Sequence, residues 1–177
     1  MALTPVAPFD GEAVVALEDV KAFLKVDSAA EDTEIAALRD AAIDWVERHT
    51  AKALSRRAFV WTADRFDDRL RPCVGPIASV EEVRTFDRAG VATVLSGSAW
   101  ELDGETLRLA ASGAWSVARS VSVTLTAGYL EVGREAPSLV AAVRLLTAHL
   151  HRQRGDAGEA PAAVTALCRA YRSVVIG

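Results

Sequence analysis

The chain of 177 residues is 51% hydrophobic and 25% charged, with a net charge of −4, which is the balance of an ordinary folded protein rather than of a disordered or fibrous one. Its length suits one well-buried core with an elaboration. No stretch approaches the roughly 18 apolar residues of a membrane span, and the first ten residues carry neither the basic start nor the apolar run of an export signal, so synthesis in the cytoplasm is expected.

The first residues, with Pro5, Pro8 and Gly11, read as an extended arm. Leu17, Val20, Phe23 and Leu24 then recur at helical spacing, with Glu18 and Asp19 in the first turn where the helix dipole favours acids. Ser28 followed by Glu31 has the spacing of a capping box. A longer helix follows it, with Ile35, Leu38, Ala42, Trp45, Val46 and His49 on one stripe and Asp32, Arg39, Asp40, Asp44, Glu47 and Arg48 largely opposite. Trp45 is expected to anchor the core.

From Arg57 the period changes to two: Phe59, Trp61 and Ala63 alternate with Ala58, Val60 and Thr62. Val80 to Phe86, the turn Asp87 to Gly90, and Val91 to Leu95 read as strand, turn and strand. Shorter strands are expected at Trp100 to Leu102, Thr106 to Leu109 and Val121 to Thr126. Pro137 then opens a helix carrying Leu139, Val143, Leu146 and Leu150 on one face, with Gly155 as its stop. Pro161 opens a last short helix with Val164, Leu167, Cys168 and Tyr171, followed by the apolar strip Val174 to Ile176. The pattern predicts an α+β fold, with a helical core of about four helices and an inserted, mostly antiparallel β region. Residues 1–16 form the arm, 17–56 and 130–171 the core, with Trp45 and Leu146 as anchors, 57–129 the insertion, and 172–177 a tail.

Chemistry finds little support. Cys73 and Cys168 are far apart in sequence and read as small apolar fillers. His149 and His151 stand two residues apart, which on a helix points them to different sides, unlike the i, i+4 pairs that bind zinc. The adjacent carboxylates Asp67-Asp68 and Glu81-Glu82 would face opposite ways in a strand. No nucleophile elbow surrounds Ser96, Ser98 or Ser112, and no glycine-rich loop precedes a helix. The arginines 56, 57, 65, 69 and 71 are interleaved with Asp64, Asp67 and Asp68, which breaks up any stripe able to follow a phosphate backbone. No catalytic residue, metal site or cofactor is expected. Charge is uneven, however: net −5 over residues 1–56, −2 over 57–143 and +3 over 144–177. Such ends are suited to stacking against like subunits or to meeting an acidic partner.

Two stretches, Leu17 to Leu54 and Val123 to Asp156, together resemble the head-tail connector (head-completion adaptor) family of long-tailed phages and gene transfer agents. The shared pattern is a helix ending in Leu24-Lys-Val-Asp27, an acidic cap at Glu31 to Glu34, a long helix closing at His49 to Leu54, a β-rich insertion, the turn Thr126 to Tyr129, and the apolar helix from Pro137 to His151. His49 stands where an aromatic is usual, and Ala170 where a proline is common. The resemblance implies a structural virion protein and no enzyme: a ring of about twelve copies on the portal protein, a stopper or tail component below, and DNA passing through the channel without sequence-specific binding or any membrane. It places the chain at the neck of a virion or phage-like particle made in a bacterial cytoplasm. The family's C-terminus reaches into the portal, which assigns the contact to Tyr171, Arg172, Ser173, Val174, Val175 and Ile176. The alternatives are a DNA-binding packaging factor, or an enzyme subunit acting on a small molecule between helices and sheet.

Overall fold

A computed structural model describes residues 1–64, 69–110, 118–153 and 158–172. In chain order the elements are β1 (Ala2–Pro5), α1 (Gly11–Val14), α2 (Leu17–Leu24), α3 (Asp32–Thr50), β2 (Arg57–Ala63), β3 (Arg69–Leu70), β4 (Ile77–Phe86), β5 (Ala92–Val94), β6 (Trp100–Asp103), β7 (Thr106–Leu109), β8 (Ser120–Ala127), α4 (Val132–Glu135), α5 (Pro137–Arg152) and α6 (Ala162–Cys168). This is the expected α+β class, with six α-helices among the described residues, of which α1 and α4 are single turns. The chain divides into a sheet unit, Met1–Pro8 with Arg56–Gly128, and a helical unit, Phe9–Ser55 with Tyr129–Gly177. The glycine stop at Gly155, the pair Asp67-Asp68, and Arg65 and Ser112 lie outside the described residues.

In the sheet unit the strands form two antiparallel sheets, one ordered β1-β2-β8-β4-β5 and one β3-β7-β6. The strict alternation of β8 explains the larger one. Val121, Val123, Leu125 and Ala127 are each 0% exposed, and register sets Phe59, Trp61 and Ala63 of β2 and Val83 and Thr85 of β4 beside them on the same face. Each valine, leucine or phenylalanine side chain so removed from water contributes about 1.5–3 kcal/mol. The start of the chain differs from the expected arm. Ala2–Pro5 add an edge strand to β2, with Leu3 opposite Trp61 and the Val6 N–H donating to the Ala58 carbonyl at 2.9 Å. An unpaired β2 edge supplies those backbone partners, which a proline-containing segment reveals only weakly to sequence reading.

In the helical unit, α3 and α5 carry the core, with Ile35, Ala42, Ile43 and Val46 packed among Leu139, Ala142, Val143 and Leu146. Leu146 is 4% exposed, and Trp45 packs partly buried against the same cluster. The buried stripe of α3 is rotated from the one predicted. It runs through Ile35, Arg39, Ala42, Ile43, Val46 and Thr50, leaving Leu38, Trp45 and His49 half-buried at its margin. Arg39, expected on the solvent side, is 5% exposed. Its guanidinium binds Glu12, donates to Asp40 at 2.9 Å and to the Val15 carbonyl at 3.2 Å, so the charge enters the interior with two carboxylates and a carbonyl as partners. On α2, Lys21 is likewise buried while Phe23 is 45% exposed. The Lys21 amine reaches Asp32 at 2.8 Å and Glu18 at 3.7 Å, which orients α2 by charge rather than by its largest apolar side chain. Ser28 caps the short 3₁₀ turn Ala29–Glu31 through the Ala30 N–H, one turn ahead of α3 itself.

Leu146→Ala is expected to lower stability by about 2–5 kcal/mol, and Trp45→Ala by a smaller ~2 kcal/mol because part of the indole is already in water; chemical denaturation of the two variants checks the order. The hydrogen bond from Arg39, joined by the Leu17 N–H, holds the Glu12 carboxyl below the ordinary glutamate range. A depressed carboxylate stabilises the fold above its unfolded value and loses that contribution as pH falls through the folded one. Glu12→Gln is therefore expected to lower the melting temperature at pH 7, with the difference shrinking as pH falls below the ordinary glutamate value of about 4.3, as thermal melts across that range would show.

Candidate functional site

The residues that could carry chemistry are spread along the chain rather than gathered. Among the described residues, no group of three or more His, Cys, Asp or Glu side chains is placed to hold a metal ion, and no helix is long and apolar enough to cross a membrane. His151 Nε2 lies 3.0 Å from a Glu31 carboxylate oxygen, whereas the buried Nε2 of His149 has no hydrogen-bond partner. Both rings are half-buried. Contrary to the alternation expected of a strand, Glu81 and Glu82 stand on the same open face of the sheet, beside Thr126 and Thr124. A bulge between Val80 and Glu82 turns Glu81 toward the hydroxyls of Ser79 and Thr126, at 2.6 and 2.8 Å, while Glu82 pairs with Arg84 at 2.6 Å. Cys73 is exposed and Cys168 buried. Of the basic residues, Arg57 stacks over the Phe59 ring at 4.8 Å and Arg56 donates to the Gly128 carbonyl at 3.5 Å, which engages both with their own sheet unit.

The uneven charge also has an internal use that sequence counting misses. Arg144 of α5 meets Asp19 of α2 at 3.2 Å, and His151 at the end of α5 meets Glu31. Acidic and basic segments far apart in the chain thus face each other within one unit, and part of the asymmetry offered to a partner is spent inside the subunit.

Surfaces remain the candidate site. The C-terminal helix α6 is seated by Val164 and Cys168, both 0% exposed, and the 3₁₀ turn Arg169–Tyr171 follows it. Tyr171 packs partly buried against the helical core, and Arg172 leaves that turn in an extended conformation, at φ −65° and ψ 122°. Desolvation, and then the charge of Arg172, depress the His49 imidazole, which is stacked on Trp45 with ring centroids 4.5 Å apart. The chain therefore exits beside the end of α3. Ser173, Val174, Val175 and Ile176 lie outside the described residues. Exposed apolar side chains mark further contact surface: Phe23 and Leu130, the latter 70% exposed, in the helical unit, and Met1, Val6, Val91, Val94 and Leu102 in the sheet unit. Leu130 sits on a fixed turn, its N–H and that of Glu131 both donating to the Glu135 carboxylate at 2.9 and 2.8 Å. Scattered exposed apolar residues are ordinary. Those on β5 and flanking β1 stand out because they adjoin open sheet edges, and pairing, not composition, reveals an edge.

No model of a known protein family matches the chain, and no curated protein matches it. Solved structures do. A chain in the neck of an empty gene transfer agent particle, computed with C6 symmetry, is similar over 99% of this chain and 97% of its own, with a TM-score of 0.82 and 27% identity. A chain in the virion of a native gene transfer agent particle is similar over the same shares, with a TM-score of 0.81 and 29% identity. The neck of the native particle, computed with C12 symmetry, contains another, at a TM-score of 0.81 and 27% identity. End to end, the chain thus has the fold of subunits found in the neck of gene transfer agent particles.

Proposed function

We propose that this chain is a head-to-tail connector subunit, a structural protein at the neck of a gene transfer agent or phage-like particle, where a ring of copies sits on the portal and leaves a channel for DNA. The whole-length likeness to chains of gene transfer agent necks, at 27% identity, and to a chain of a native gene transfer agent virion, at 29%, carries the reading. It supports a structural role at the particle neck. The sixfold and twelvefold symmetry of those necks supports assembly of copies around an axis, and a ring of about twelve accords with the higher of the two. Scattered, individually partnered charges suit such a part better than an enzyme, which needs a convergent set of polar groups in a cleft. A net charge of −4 suits a wall past which DNA slides, since every neutralised phosphate would add affinity.

Portal contact is assigned to the end of the chain. Tyr171 is anchored on the helical core and Arg172 leads away from it, so the apolar strip Val174, Val175 and Ile176 starts from a fixed exit. A β-branched segment of that kind adds readily to a partner's sheet or groove.

Light scattering on the pure chain at micromolar concentration is expected to show a monomer or a weakly associating species, because weak lateral contacts become collectively strong only when a template raises their effective concentration. A stable closed ring without portal contradicts this. Removal of residues 172–177 is expected to leave the melting curve unchanged and to abolish retention on portal-bearing heads; normal attachment of the shortened chain overturns the assignment of the tail.

A further inference from the structure

Among the described residues the larger sheet ends on two open edges, β1 and β5, and these edges match each other. Every neighbouring pair in the sheet is antiparallel, so β1 and β5 run in the same direction. Along an antiparallel strand, residues alternate between exchanging hydrogen bonds with the neighbour and directing their backbone groups away from it. On the first edge, the Val6 N–H bonds the Ala58 carbonyl at 2.9 Å, so Ala2, Thr4 and Val6 face β2 while Leu3 and Pro5 face outward. The proline falls where its missing N–H costs the β1–β2 ladder nothing. On the other edge, the Asp87 N–H bonds the Val91 carbonyl at 3.1 Å and the Leu95 N–H the Val83 carbonyl at 2.9 Å. Val91, Thr93 and Leu95 therefore face β4, and Ala92 and Val94 face outward.

We infer that β5 of one subunit receives β1 of the neighbouring copy as a parallel strand, with Leu3 set between Ala92 and Val94. The Leu3 N–H then donates to the Ala92 carbonyl, and the Val94 N–H donates to the Leu3 carbonyl. Faces agree as well as register. Leu3 lies opposite Trp61, and Thr93 lies opposite Thr85, itself paired with Val121, so both belong to the covered face of the sheet. An antiparallel joining of these edges would set Leu3 directly against Ala92 or Val94. Val94 pairs with Arg84, on the opposite face, so that arrangement would turn one sheet over relative to the next. The joint also covers apolar side chains now in water, Met1 at 83% and Val6 at 64% on one edge and Val91 at 60% and Val94 at 56% on the other. Because it joins two different patches, it repeats from copy to copy, as a ring requires, where a self-complementary patch would stop at a dimer. A joint this short is weak by itself, in keeping with assembly on a template. The inference rests on the proposed ring.

The test places Leu3→Cys and Thr93→Cys together in a Cys73→Ser background, makes particles with that chain, counts the neck ring by electron microscopy, and then oxidises. A ladder of disulfide-linked multimers on a non-reducing gel, absent from either single cysteine variant, is the expected result. A ring without the ladder overturns the edge pairing and leaves the neck reading standing. Particles whose necks lack the chain overturn the neck reading and the inference with it. Val94→Pro removes the outward N–H without touching the β4–β5 ladder; unchanged melting with loss of ring incorporation supports the joint, and normal incorporation overturns it.

Discussion

Arg39 is 5% exposed, and the helical unit is organised around keeping that guanidinium charged. A buried cation costs several kcal/mol unless its donors are met, and here they are met from two sides. Asp40 lies on the same helix, while Glu12 and the Val15 carbonyl belong to α1 and the residue after it. The fork therefore pins a helix of only four residues, far too short to persist by itself, against α3. Gly11 completes the arrangement, since a side chain there would run into Asp40 and Arg39. Val14 and Val15, carried by that turn, are 5% and 3% exposed within the core.

The same device recurs through the unit. Lys21 ties α2 to the first residue of α3, Arg144 ties α5 to α2, and His151 ties the end of α5 to the turn before α3. Solvent-exposed pairs add little stability individually. The common feature of these contacts is that each joins separate elements, so they select one packing of short helices whose small apolar faces would tolerate several. Such selection fixes which surfaces the helical unit presents. Leu130, exposed outside the core, is held on its turn by the Leu130 and Glu131 N–H groups donating to the Glu135 carboxylate.

The sheet unit reaches the same end by other means. Its larger sheet is covered on one face by strict alternation and carries threonine, serine and paired charges on the other, so the unpaired groups of interest lie along its edges. Natural sheets usually protect an edge. Pro5 does so partially on β1, whereas β5 keeps both outward N–H groups, and that asymmetry gives the two edges different roles.

Much of this was legible in the sequence because it depends on periods. The alternation from Arg57 onward, the strand pair around Asp87 to Gly90, the proline-started helix from Pro137, and the division of helical segments around a β insertion all follow from where apolar residues repeat, and the resemblance to connector proteins led to the particle neck. Tertiary structure alone decided the rest. Periodicity located a stripe on α3 but set it one step aside, because a charged residue counts as solvent-facing until a partner from elsewhere in the chain makes its burial affordable, and Glu12 lies 27 positions from Arg39. It read Ala2–Pro5 as an arm because a strand of four residues carries too little pattern to announce itself; β2 supplies the missing hydrogen bonds. Opposite charges at the two ends of the chain suggested partners outside the molecule, and contacts 125 and 120 residues apart in sequence brought some of them together inside it. Local composition fixes what a segment prefers, and only long-range pairing determines which of its groups are still unmet when folding is complete.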